Sequence, residues 1–133
     1  MKNSETNIQE LTKEFALNII RLYQYLTDHA DKKEYVLSKQ VLRSGTSIGA
    51  NVREAVCAQT KADFGSKMNI ALKEASETLY WLELLADADY VSKEQAALLQ
   101  KDCNNLLGIL KSIVKTTFEN IKKEKQERKC SLN

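Results

Sequence analysis

The chain has 133 residues, 43% of them hydrophobic and 29% charged, and a formal net charge of +2. That length fits one domain with one core, able to bury about two-thirds of its unfolded surface without a metal or disulfide. The composition excludes a disordered chain, and no apolar run approaches the roughly 18 residues of a spanning helix, so a soluble protein with no membrane partner is expected.

The N-terminus, Met1-Lys2-Asn3-Ser4-Glu5-Thr6, passes straight into a charged amphipathic stretch without the apolar segment of a signal peptide. This points to a cytoplasmic protein. The cysteines Cys57, Cys103 and Cys130 lack metal-ligand spacing, and His29 is the sole histidine. Cys57 and Cys103 read as small core residues and Cys130 as an exposed, reduced thiol. Charge is unevenly spread: +1 over residues 1–60, −3 over 61–90 and +4 over 91–133. Such an imbalance is compatible with a nucleic-acid partner but too small to argue for one alone.

Four places pair a capping residue with an acid or amide three positions on, Thr6/Gln9, Asp31/Glu34, Thr60/Asp63 and Ser92/Gln95, and each opens an amphipathic stretch. The first helix is predicted over residues 7–28, with Ile8, Leu11, Phe15, Ile19, Leu22 and Leu26 on one face. The second, over 32–58, repeats Leu37, Val41, Gly45, Ile48, Val52 and Ala55 or Val56. The third, over 61–87, repeats Phe64, Met68, Ala71 or Leu72, Ala75, Leu79, Leu82 and Leu85. The fourth, over 93–122, repeats Ala96, Leu99, Cys103, Leu106, Leu110, Ile113, Thr117 and Ile121. The period is helical throughout and no strand is needed. Short connections force consecutive helices antiparallel, so the fold expected is all-α, an up-down-up-down four-helix bundle over residues 1–122. From Lys123 to Asn133 the apolar period is lost, and a basic, frayed tail is expected.

Gly45 and Gly49 are two of the four glycines in a chain without proline. Each costs about 1 kcal/mol against alanine inside a helix. With Ala50 and Ala55 they mark a place where another helix must come close. Beside them runs a polar stripe, Gln40, Arg43, Ser47, Asn51 and Glu54. One reading makes it a solvated face held by contacts one turn apart. The other buries part of it against a helix, where Arg43, Asn51 and Glu54 satisfy one another or a carboxylate such as Glu77. The third helix carries extra apolar surface at Ile70, Trp81 and Leu84, which either caps the core edge or forms a subunit contact.

The residues needed for catalysis do not come together in the sequence. Gly45-Thr46-Ser47-Ile48-Gly49 lacks the lysine of a phosphate loop and lies inside a helix. No Glu-x-x-His pair offers a di-iron site. Glu54, Glu74, Glu77 and Glu83 read as structural carboxylates rather than acid–base pairs. No enzyme activity and no cofactor or metal is expected.

The segments Gln40-Val41-Leu42-Arg43, Ser47-Ile48-Gly49-Ala50-Asn51-Val52-Arg53-Glu54-Ala55, Ala71-Leu72-Lys73-Glu74-Ala75-Ser76-Glu77-Thr78 and Tyr80-Trp81-Leu82 resemble the bacterial four-helix bundle family encoded in intervening sequences of 23S ribosomal RNA genes. The likeness spans about residues 10–120. It implies a bundle that assembles into a ring of five subunits, and a distant kinship with the accessory proteins of diversity-generating retroelements, which bind nucleic acid and a reverse transcriptase. Arg43, Ser47, Asn51, Glu54 and Glu77 match the family's polar positions, while Ala55 and Glu74 stand where many members have glycine and serine.

Together these readings make the chain a non-enzymatic homo-oligomeric scaffold that contacts RNA or DNA. The candidate contacts are Lys13, Arg21, Arg43, Arg53, Lys61 and Lys67, with the lysine-rich tail as an alternative. The rival is a module that recruits a protein partner with no nucleic-acid contact.

Overall fold

The computed structural model describes residues 4–29, 31 and 33–132, giving the backbone alone for 4–6. The chain start Met1-Lys2-Asn3 and the terminal Asn133 lie outside the described residues. Four helices follow one another: α1 (Ser4–Gln24), α2 (Leu37–Val56), α3 (Lys61–Asp87) and α4 (Lys93–Leu132), with a π-helical turn, Tyr25–His29, continuing α1. No strand occurs among the described residues.

The pairings are antiparallel and consecutive. Gly45 and Gly49 of α2 face Ile19 and Thr12 of α1 in reverse order, and Gly65 of α3 faces Phe118 of α4. Arg43 of α2 reaches Glu77 of α3 while Glu54, further along α2, reaches back to Lys67. The result is a four-helix bundle in which, of the four neighbouring helix pairs, α1 and α4 make the least contact. Between those two lies a shallow groove lined by Leu11, Phe15, Leu106 and Ile109. The apolar stripes point inward: Ile8, Ile19, Leu26, Val41, Ile48, Val52, Met68, Ala75, Leu82, Leu85, Cys103 and Leu110 are buried. Among the expected core positions, Leu11, Leu37, Phe64, Leu79, Leu99 and Ile113 are partly covered, and Val56 is exposed. Cys57 is exposed rather than buried, because α2 ends at Val56 and the chain turns there.

The ends of the helices explain where they lie. Thr60 accepts from the Asp63 amide at 3.0 Å, and Ser92 and Gln95 bond reciprocally at 3.0 and 3.1 Å, so both caps form as their spacing requires. The other two differ. The α1 backbone is already helical at Ser4, which places Thr6 inside the helix; its side chain lies outside the described residues. For α2, Glu34 rather than Asp31 is the cap. Its buried carboxylate accepts from the amides of Ser38 at 2.8 Å and Val36 at 3.2 Å, so the helix opens at Leu37. The Glu34 amide also donates to Leu26 O at 2.9 Å, fixing the α1–α2 corner. At the α3–α4 corner, Asp89 adopts φ 64° while Tyr90 and Val91 donate back to Leu85 O. This is a left-handed helix ending without glycine.

The expected frayed tail is instead the last part of α4, which continues to Leu132. Residues Lys122–Leu132 contain neither glycine nor proline and are rich in lysine, glutamate, glutamine and arginine, all good helix formers. Lys61, the first residue of α3, pairs with Glu124 and ties the extension to the bundle. At 40 residues, α4 is about 60 Å long and outruns the roughly 40 Å of the 27-residue α3.

Candidate interaction surfaces

The α2–α3 face joins the polar stripe to the extra apolar edge. Arg43 donates to Glu77 Oε1 at 2.6 Å and to Glu74 Oε2 at 3.2 Å. Glu77 Oε1 also accepts from the Trp81 indole at 3.2 Å. One carboxylate therefore links a cation on α2 to an aromatic ring on its own helix. The Arg43 hydrogen bond holds the Glu77 carboxyl below the usual carboxylate range, and the same contact raises the Arg43 guanidinium. Both groups keep access to water, so the pair contributes at most about 1 kcal/mol to stability.

Ser47 and Asn51 of the stripe are satisfied locally. Ser47 donates to Arg43 O at 2.6 Å and Asn51 to Ser47 O at 2.8 Å, which are bonds back along α2 rather than to α3. Asn51 therefore belongs to no network with Arg43 and Glu54. Glu54 instead approaches Lys67 Nζ at 3.8 Å, and Gln40 is exposed. The stripe is half of each reading: Arg43 and Glu54 reach across to α3 while Ser47 and Asn51 follow the solvated pattern. Glu74 is the partner that the sequence placed only among the structural carboxylates. Alongside, Ile70 is 40% exposed while Trp81 and Leu84 are half-buried, with Trp81 packed against the core and 5.3 Å from the Tyr80 ring.

The small residues serve the chain's own interior. A Cβ on Gly45 would lie 2.9 Å from two Ile19 carbons, and one on Gly49 would lie 3.3 Å from Thr12 Oγ1, so α2 approaches α1 there. Ala55 is buried, whereas Ala50 is exposed and takes no part in that close contact. Outside the seam, a groove of about 620 Å³ has Lys13 and Ala16 of α1 on one wall and Gly49, Ala50 and Arg53 of α2 on the other.

The six candidate cations therefore divide. Arg43, Lys61 and Lys67 are held by carboxylates of a neighbouring helix. Arg21 donates to Asn18 at 2.8 Å on the outer side of α1. Lys13 and Arg53 share the α1–α2 groove, and neither is in an ion pair among the described residues. Among the described residues no group of three or more His, Cys, Asp or Glu is placed to hold a metal ion. No described helix is long and apolar enough to cross a membrane.

Fold and surfaces define an all-helical bundle protein whose distinctive side chains lie on helix faces rather than in an enclosed cavity. The family model described as 23S rRNA-intervening sequence protein matches residues 4–112, and the chain belongs to that family. Among solved structures it is similar to a protein of unknown function from the S23 ribosomal protein family of Bacteroides thetaiotaomicron VPI-5482. The two are 49% identical and superimpose with a TM-score of 0.81, over 85% of this chain and 99% of that one. No curated protein matches the chain.

Proposed function

We propose that the chain is a non-enzymatic homo-oligomeric scaffold, a cyclic pentamer, that holds RNA or DNA through basic side chains repeated around the ring. The α1–α2 groove carries the reading, because Lys13 and Arg53 stand there outside any ion pair among the described residues, over small residues that let a strand approach, while Glu54 at the groove's edge is paired with Lys67. Ring symmetry multiplies a weak patch: five copies at +2 give about +10, and phosphate binding grows with the number of aligned cations. Self-association is supported by the α2–α3 face, where Ile70 and Trp81 offer an apolar centre beside the polar Arg43–Glu74–Glu77 rim. The family's name connects its members with 23S ribosomal RNA, which makes RNA the first ligand to try.

A mass measurement in solution should return about 75 kDa, five copies of the 15.1 kDa chain. Affinity for mixed RNA and DNA fragments should fall steeply between about 50 and 200 mM salt. Replacing Lys13 and Arg53 together by alanine should weaken it without changing the mass.

The second reading is recruitment of a protein partner without nucleic-acid contact. It is favoured by the pairing of Arg43, Lys61 and Lys67 with carboxylates, which lowers the charge left for phosphates. No binding to either nucleic acid at low salt would select it.

A further inference from the structure

The unbroken run of α4 to Leu132 places side chains in register that a frayed tail would scatter. Lys111, Lys115, Phe118, Lys122, Lys125 and Lys129 follow one another at alternating steps of four and three residues, the spacing that keeps successive positions on one face of a helix. All six are exposed, Phe118 by 42%. The stripe is about 27 Å long at 1.5 Å per residue. It contains no acid, and none of the five lysines is in an ion pair among the described residues. Of the nearby carboxylates, Glu124 is turned to Lys61 of α3, and Glu119 and Glu127 occupy other positions around the helix.

We infer that this stripe is a binding track for single-stranded nucleic acid. The inference rests on the scaffold reading and moves the principal contact from the α1–α2 groove to α4. Five evenly spaced ammonium groups suit a linear polyanion, and Phe118, whose ring rests against Gly65 of α3, leaves 42% of its surface open for a base to stack on. A lipid surface fits less well: Phe118 is the stripe's only apolar side chain, and the apolar face of α4 as far as Ile121 is turned to the bundle. Only Lys111 lies within the span matched by the family model.

The test uses the full chain with fluorescent 20-nucleotide single strands of RNA and DNA, the corresponding duplexes, and vesicles rich in anionic lipid. Single-strand affinity should drop roughly 100-fold between 50 and 200 mM salt if five phosphates are neutralised. Lys115→Glu with Lys122→Glu should weaken it at least tenfold, and more than Lys13→Ala with Arg53→Ala does. All four positions are exposed, so folding should survive. Circular dichroism and solution mass verify this, and if the reversed pair alters either, Lys115→Gln with Lys122→Gln should still lower the salt slope by about 1.4. Unchanged affinity in the stripe variants, with loss in the groove variant, overturns the track and leaves the scaffold reading standing. Equal or tighter binding to duplexes, or binding to vesicles alone, also overturns it. No binding of the unaltered chain to any nucleic acid overturns both.

Discussion

Ser44 of α2 and Thr78 of α3, both fully buried, meet hydroxyl to hydroxyl at 2.8 Å. Thr78 Oγ1 also lies 2.7 Å from Glu74 O. A hydroxyl has one proton, so when Thr78 gives its own to that carbonyl, Ser44 must supply the proton between the two side chains. This buried contact is formed by the residues that follow Arg43 on α2 and Glu77 on α3, so the two pairs together fix the α2–α3 register. Thr78→Val should cost about 1–3 kcal/mol by leaving Ser44 without its partner. The Ser44→Ala, Thr78→Val double variant should cost less than the two single changes summed. Urea unfolding of all three variants checks this.

Gly45 and Gly108 should respond in opposite ways to alanine. At Gly45 the added methyl would press on Ile19, a branched, fully buried side chain with no room to retreat. Overpacking of about 1–3 kcal/mol outweighs the recovery of helix propensity, for a net loss of about 1 kcal/mol. At Gly108 an added Cβ would meet nothing within 4 Å, so the propensity gain of about 0.5–1 kcal/mol should appear as added stability. Melting temperatures of the two variants should shift in opposite directions.

Period and caps made the bundle readable, since the core positions recur at 3.6 residues and Thr60 and Ser92 immediately precede their helices. The α2 start was misplaced because Asp31 and Glu34 match a capping pattern while the actual cap depends on burial of Glu34 beneath the corner. The glycines announced a close approach, yet nothing local says that the neighbour is α1. Likewise Glu74 and Glu77 are 31 and 34 positions from Arg43, a pairing set by the α2–α3 register. The apolar pattern ends at Ile121, which hid the last turns of α4: intrinsic propensity and the Lys61–Glu124 pair sustain them without a buried face.

The Arg43–Glu77 pair gives stability a definite pH dependence. Because the folded-state carboxyl titrates below its ordinary value of 4.5, its contribution is complete above that value and is lost as pH falls through the lower folded one. Exposure keeps the effect to a few tenths up to about 1 kcal/mol. Glu77→Gln should therefore reduce the stability difference between pH 7 and pH 3 by that amount, and Arg43→Ala, which also removes the contact with Glu74, should reduce it at least as much. Denaturation midpoints at the two pH values measure it.

Cys103 differs sharply from the other two thiols. Burial, as the largest cause, with the nearby Asp102 charge adding to it, pushes its thiol up to about 12, and its Sγ lies 3.2 Å from Ala75 O as a donor. The thiolate is the reactive form, so at pH 8 Cys103 should be inert in the folded protein. Cys57 and Cys130 are exposed. A disulfide reagent should then modify two thiols per chain quickly under native conditions and the third only at the rate of unfolding. Since Cys103 lies in the α3–α4 contact, the slow phase reports opening of that helix pair directly. Thr78→Val and Gly45→Ala act at the α2 contacts, so they should accelerate this phase only to the extent that the whole bundle unfolds together. Acceleration matching their loss of global stability identifies one cooperative unit.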